Sequence, residues 1–209
     1  MIILVGMPGR GKTNMIKYLI LKNSVDRKIF KFGLVFCRTK FNNKDYTYIP
    51  EKYIIGGYDE NILQNYIENL QKMVKEGKKF NAFLIFDDLI GILNRNDPFL
   101  INLWAIHRHI NLSIFIATQH LKGSSTNTTF REVVSNGIFF NSKREDTIKA
   151  IHREFGKSVF KKYEDFERHF LYVTNEPYVG MFYDSLSDNE NMWAIKAPLM
   201  DEFKVKLEF

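Results

Sequence analysis

Short apolar runs alternate along this chain with longer stretches in which apolar residues recur every three or four positions. Residues 2–5, 34–37, 82–86, 113–117 and 137–140 are continuous apolar runs of strand length. Continuity over so few positions suits strands of a parallel sheet covered on both faces, where no position has to meet water. Between them, residues 12–21, 59–75, 98–109 and a short stretch near 130–134 carry helical periodicity. In 59–75, Leu63, Ile67, Leu70 and Val74 fall on one face. Strands alternating with helices predict an α/β fold with a mainly parallel central sheet flanked by helices. After Lys143 the pattern changes. Residues 144–168 read as a charged helical region, and 170–174 and 178–182 flank Asn175-Glu176-Pro177 as the arms of a hairpin. Residues 185–209 carry no clear periodicity and are expected to pack on the core or on a neighbouring subunit. The predicted organisation is therefore a core over 1–143 and a helical and hairpin extension over 144–209.

Composition narrows this picture without changing it. A length of 209 residues suits one substantial core, and 45% hydrophobic with 26% charged residues excludes a disordered chain or a fibre. No apolar run reaches the roughly 18 residues needed to cross a bilayer, so no membrane partner is expected. The lone cysteine, Cys37, rules out internal disulfides and suits a reducing compartment. It is expected to be a small buried hydrophobe at the end of the second strand. His107, His109, His120 and His152 lack any spacing with acids or cysteine that calls for a metal, and are read as structural or exposed. A net charge of +6 is compatible with a polyanionic partner but is too diffuse to identify one.

The first chemistry-bearing motif is Gly6-Met7-Pro8-Gly9-Arg10-Gly11-Lys12-Thr13, with Asn14 following, placed directly after an apolar strand and before an amphipathic helix. It fits the pattern G-x-x-x-x-G-K-[ST] in the context that pattern requires. Glycines allow positive φ and close backbone approach, so successive N–H groups can surround a phosphate at the positive end of the following helix. Lys12 is expected on the β- and γ-phosphates and Thr13 on magnesium, with ATP as the nucleotide. A second motif, Ala82-Phe83-Leu84-Ile85-Phe86-Asp87-Asp88, is an apolar strand ending in two carboxylates. Asp87 is assigned to magnesium and Asp88 to polarising the attacking water. A third apolar strand ends at Thr118-Gln119, and the Gln119 amide can accept from water while donating to phosphate.

These runs, with Arg108-His109-Ile110-Asn111-Leu112-Ser113-Ile114 ahead of the Gln119 strand and Arg131 ahead of Phe139-Phe140-Asn141, resemble the poxvirus-type packaging ATPases of the FtsK/HerA superfamily over roughly residues 1–141. That resemblance implies a RecA-like (ASCE) P-loop NTPase core and a homo-oligomeric ring, hexamer or pentamer. It further implies ATP hydrolysis at subunit interfaces, double-stranded DNA as the substrate moved, and capsid vertex proteins as partners in the host cytoplasm or the virion. It also implies an arginine reaching across the interface, for which Arg131 ranks first, Arg108 second and Arg144 third. Arg10 is expected to face solvent or the neighbouring subunit. The sequence opens at its first strand, so assembly is expected to rest on the core and the C-terminal segment. Asp88 stands where a Glu is common elsewhere in the superfamily, and the Asp-Asp pair favours the poxvirus-type branch.

Residues 121–129, from Leu121 and Lys122 through a Ser/Thr-rich stretch, form a polar loop after Gln119 that suits contacts to DNA phosphates. Alternatives stay open at this level. Ile106-His107-Arg108-His109 and Ala117-Thr118-Gln119 also resemble the filamentous-phage morphogenesis ATPases of the Zot type, which usually carry a membrane helix. Arg144, Arg153 and Arg168 could line the lid of a nucleoside kinase, although two acids and an amide on adjacent strands suit water activation better. A nucleotide switch is disfavoured by the absence of Asn-Lys-x-Asp.

Overall fold

The computed structural model describes residues 1–26, 29–38, 44–89, 93, 96–121, 133–187, 192–198 and 207. Its elements run β1 (Ile2–Val5), α1 (Lys12–Leu21), β2 (Phe30–Cys37), β3 (Ile54–Gly56), α2 (Glu60–Lys75), β4 (Asn81–Asp87), α3 (Pro98–Ile106), β5 (Leu112–Thr118) and β6 (Asn136–Phe140). After these come α4 (Glu145–Ile151), α5 (Tyr163–Val173), β7 (Val179–Asp184) and β8 (Met192–Lys196). The strands form one eight-stranded sheet in the order β3-β2-β4-β5-β1-β6-β7-β8. All pairings from β3 through β6 are parallel, whereas β6–β7 and β7–β8 are antiparallel.

The central strands are apolar over residues 2–5, 82–86 and 114–117 because both faces are covered. Alternate residues divide between two cores, as the two-residue period of a strand requires. Ile3, Val5, Leu84, Phe86, Ile114 and Ile116 pack with Leu63, Ile67, Leu70 and Trp104 of α2 and α3. On the opposite face Leu4, Ile85, Phe115 and Ala117 pack with Met15, Ile16 and Ile20 of α1 and with Tyr46, Tyr48 and Tyr53.

Helix boundaries follow their caps. The Asp59 carboxylate accepts from the Ile62 N–H, so α2 starts at Glu60, one residue later than its periodicity predicts. Asp97 caps α3 in the same way ahead of Pro98. That helix ends at Ile106 rather than 109, because the chain turns through His107 to Asn111, which takes a positive φ of 52°.

Three expectations are corrected. β2 begins at Phe30, not 34: Lys31 and Gly33 interrupt the apolar run, but Gly33 makes room for the Phe83 ring, which would lie 2.0 Å from a Cβ there. β3, three residues long at the sheet edge, carries too little pattern to be found from sequence and raises the strand count beyond the predicted set. The hairpin placed across 170–182 is not formed. Residues 170–173 close α5, where Phe166 and Phe170, one helical turn apart, are fully buried and stacked at 5.8 Å between centroids. The antiparallel hairpin lies further on, between β7 and β8, and brings part of the unassigned 185–209 stretch into the sheet. The short helix expected near 130–134 lies mostly outside the described residues.

Candidate active site

The parallel register brings three strand ends to one edge. β5 pairs with β1 on one side, Val5 opposite Thr118, and with β4 on the other, Asp87 opposite Ala117. Backbone hydrogen bonds continue this alignment past the strands: Gly6 N–H donates to Thr118 O at 3.1 Å, and Asp88 N–H donates to Ala117 O at 3.0 Å. The phosphate loop, the acid pair and the Gln119 amide therefore share the carboxyl edge of the sheet, where ligands of open α/β sheets bind.

The loop turns through Gly9 at φ 72° and Gly11 at φ 105°, both in the left-handed region that favours glycine. Gly11 caps α1 with no side-chain hydrogen bond, and the first turn of that helix carries no acid. Its free N–H groups and positive end are thus available to an anion. Lys12 is buried, and its ammonium donates to Gly6 O at 2.7 Å and Met7 O at 3.2 Å. Burial holds the Lys12 pKa below its usual value, and the negative charges of Asp88 and Asp87 work against that shift. Thr13 and Asn14 follow, half-buried, on the first turn of α1.

Asp87 is 8% exposed, and its Oδ2 accepts from the Tyr46 hydroxyl at 3.0 Å. Burial pushes its pKa up to about 6; the Tyr46 hydrogen bond and Lys12 lower it, while Asp88 and Asp45 raise it. A buried carboxylate with one oxygen oriented by a tyrosine offers hard oxygen donors of the kind magnesium takes alongside water and phosphate. The residues present fit that ion. Among the described residues no group of three or more His, Cys, Asp or Glu forms a self-sufficient metal cage.

Asp88 is itself in the left-handed region, with φ 53°, which turns the chain off β4 as soon as the strand ends. Its Oδ2 accepts from Gln119 Nε2 at 3.2 Å. The acid and the amide assigned to water are thus joined across two adjacent strands. One residue on, His120 Nε2 lies 3.1 Å from Arg144 Nη1, and burial with the Arg144 and Lys12 charges depresses the His120 pKa against the pull of Asp88. Arg144 and His120, with Glu145, Asp146 and Thr147, line a cavity of about 430 Å³ beside this edge.

The other candidates fall elsewhere. Arg108 is exposed in the turn before β5, and its Nη2 donates to Ser135 Oγ at 3.2 Å, an oxygen that also accepts from the Met1 amino group at 3.1 Å. That is the amino edge of the sheet, away from its own phosphate loop. Arg131 and residues 122–129 lie outside the described residues. Arg10 is half-buried in the loop. His107 and His152 are structural, bonded to Trp104 O and Phe160 O, whereas His120, expected to be structural or exposed, borders the site. Tyr46 went unseen in the sequence because no motif spacing connects it to Asp87.

Two outcomes follow from the environment of Asp87. Its folded pKa, about 6, lies above its ordinary 3.8, so the folded state holds the extra proton and stability falls as pH rises through that window. Asp87→Asn in magnesium-free buffer is expected to stabilise the fold at pH 8 by up to about 3 kcal/mol. The gain disappears near pH 4, and urea titrations at both pH values check it. Tyr46→Phe keeps the ring but leaves the carboxylate unoriented. The magnesium concentration needed for half-maximal ATP turnover is expected to rise about ten-fold, with the ATP KM at saturating magnesium little changed.

The chain is 28% identical over 214 residues to the uncharacterized protein 075L of Invertebrate iridescent virus 6, covering 98% of this chain and 80% of that one. The genome packaging NTPase B204 of Sulfolobus turreted icosahedral virus 2, solved with AMPPCP, superposes with a TM-score of 0.64 at 16% identity, covering 95% of this chain and 97% of that one. The cytoplasmic domain of the Type VII secretion ATPase EccC of Thermomonospora curvata gives a TM-score of 0.64 at 12% identity, over 98% of this chain and 26% of that one. At such identities the two structures speak for the fold alone, a mainly parallel sheet flanked by helices. Residues 1–191 match the poxvirus A32 protein family, and the chain belongs to it.

Proposed function

We propose that this chain is the ATP-hydrolysing subunit of a motor that drives double-stranded viral DNA into a preformed capsid. The observation that carries the reading is the Asp88–Gln119 hydrogen bond beside the phosphate loop. A carboxylate and an amide joined at that edge can hold one water with their remaining oxygens, the acid accepting its proton and the amide oxygen fixing its orientation. Two acids and an amide at that edge suit water activation better than transfer to a nucleoside, and membership of the A32 family stands against the Zot-type reading.

Each residue then has one task. Lys12 exchanges its contacts with Gly6 O and Met7 O for the β- and γ-phosphates, and the N–H groups from Gly9 to Asn14 surround the phosphate chain. Thr13 and Asp87 would hold magnesium, which neutralises charge on the phosphates when bound. Tyr46 keeps the Asp87 carboxylate in place. Asp88 takes the water proton and Gln119 aims the water.

The arginine that stabilises charge on the transferring phosphoryl group is supplied by a neighbouring subunit in a ring, a pentamer or hexamer, with Arg131 ranked first. Arg108 suits the role as a residue exposed on the edge remote from its own loop. A net charge of +6 favours DNA over a neutral cargo. Capsid vertex proteins complete the set of partners, in the cytoplasm of the infected cell or in the virion.

The test is ATP hydrolysis at high protein concentration, with and without long double-stranded DNA and with excess nucleoside. DNA-stimulated turnover is expected, falling at least about a hundred-fold in Asp88→Asn. Transfer of phosphate to nucleoside, indifferent to DNA, would overturn the reading.

A further inference from the structure

Tyr178 stands immediately before β7 with a φ of 66°. For a bulky aromatic residue this is a genuine outlier, and such strain tends to collect at ligand sites. The turn itself does not ask for tyrosine, since Gly or Asn would take the left-handed conformation more easily. The ring nevertheless has a defined neighbour. A Cβ on Gly11 would lie 3.0 Å from Tyr178 Cδ1 and 3.3 Å from its Cα, so the tyrosine rests against the glycine that opens α1. Although so close to the phosphate loop, the residue remains 47% exposed.

Its position in the sheet gives this contact a direction. Asp87 and Asp88 lie on one side of the phosphate loop, at the end of β4 beyond β5, while β6 and β7 lie on the other. A nucleotide with its γ-phosphate towards the acids sends its α-phosphate, ribose and base the opposite way, past the first turn of α1 and towards the start of β7. Tyr178 also lies on the correct face. A Cβ on Gly11 would meet Phe140 at 3.4 Å as well as Tyr178 at 3.0 Å, and Phe140 belongs to the core that α1 covers.

We propose that Tyr178 is the platform on which the base of the bound nucleotide stacks, an assignment that rests on the nucleotide reading of the phosphate loop. The flat, partly exposed ring at the exit of the loop offers a π surface to a purine, and a left-handed backbone holds it against Gly11. An aromatic face stacks with any base, so Tyr178 contributes affinity for nucleotides as a class, over inorganic polyphosphate, more than it selects adenine.

Calorimetric titration of ATP, GTP and magnesium tripolyphosphate into wild type, Tyr178→Phe and Tyr178→Gly tests this. Glycine removes the ring without adding backbone strain, and tripolyphosphate engages the loop without a base. ATP and GTP are expected to bind Tyr178→Phe as they bind wild type, and to bind Tyr178→Gly on the order of ten-fold more weakly. Tripolyphosphate binding should be the same in all three. Unchanged ATP affinity in Tyr178→Gly, or equal weakening of ATP and tripolyphosphate, would overturn the assignment while leaving the nucleotide reading intact. If wild type bound neither ATP nor tripolyphosphate, the nucleotide reading itself would fall, and the assignment with it.

Discussion

The site depends on β5 running parallel between β1 and β4. Because both pairings are parallel and in register, the ends of these strands cannot move independently, and the groups that follow them share one edge. Gly6 and Asp88 hang from adjacent carbonyls of β5, Thr118 O and Ala117 O, so one strand sets the separation between the phosphate loop and the acid pair. Gln119, the next residue of that same strand's chain, lies between them. Loss of the β5 pairings would disperse the phosphate loop, the Asp87–Asp88 pair and Gln119 together.

Charge at this edge is arranged so that the nucleotide completes it. Lys12 is buried against backbone carbonyls, Asp87 is buried with a raised pKa, and the uncapped start of α1 points N–H groups outward. Each of these is costly alone, since burial disfavours the charged form of both ions. On the proposed reading, phosphate and a divalent cation would relieve them together, which would tie affinity for the nucleotide to affinity for its metal. The Tyr46 hydrogen bond is part of the same arrangement, because an ionised carboxylate at that depth needs a donor.

How much of this was legible in the sequence depended on distance along the chain. The phosphate loop was visible because its strand, glycines, lysine and helix are contiguous, and α1 spans the predicted 12–21. The acid pair and Gln119 were visible as polar residues terminating apolar strands. Their hydrogen bond was not, since it spans residues far apart in sequence. Phe170-Leu171-Tyr172-Val173-Thr174 was misread as a strand because aromatic and β-branched residues favour strands locally, while the helix is settled by burial of Phe166 beneath Phe170. β8 escaped notice because exposed Trp193 and Ala194 break its pattern on the outer edge of the sheet. Arg108, ranked second as the arginine that reaches a neighbour's site, lies at the amino end of β5, the edge opposite its own site.

The central claim is that ATP turnover at this edge moves duplex DNA. The most direct measurement is displacement of a third strand from a linear duplex carrying a short triplex, comparing wild type with Lys12→Ala. Wild type is expected to release the third strand only when ATP is present, and Lys12→Ala to leave it bound. ATP consumed by wild type with the triplex intact would contradict the account.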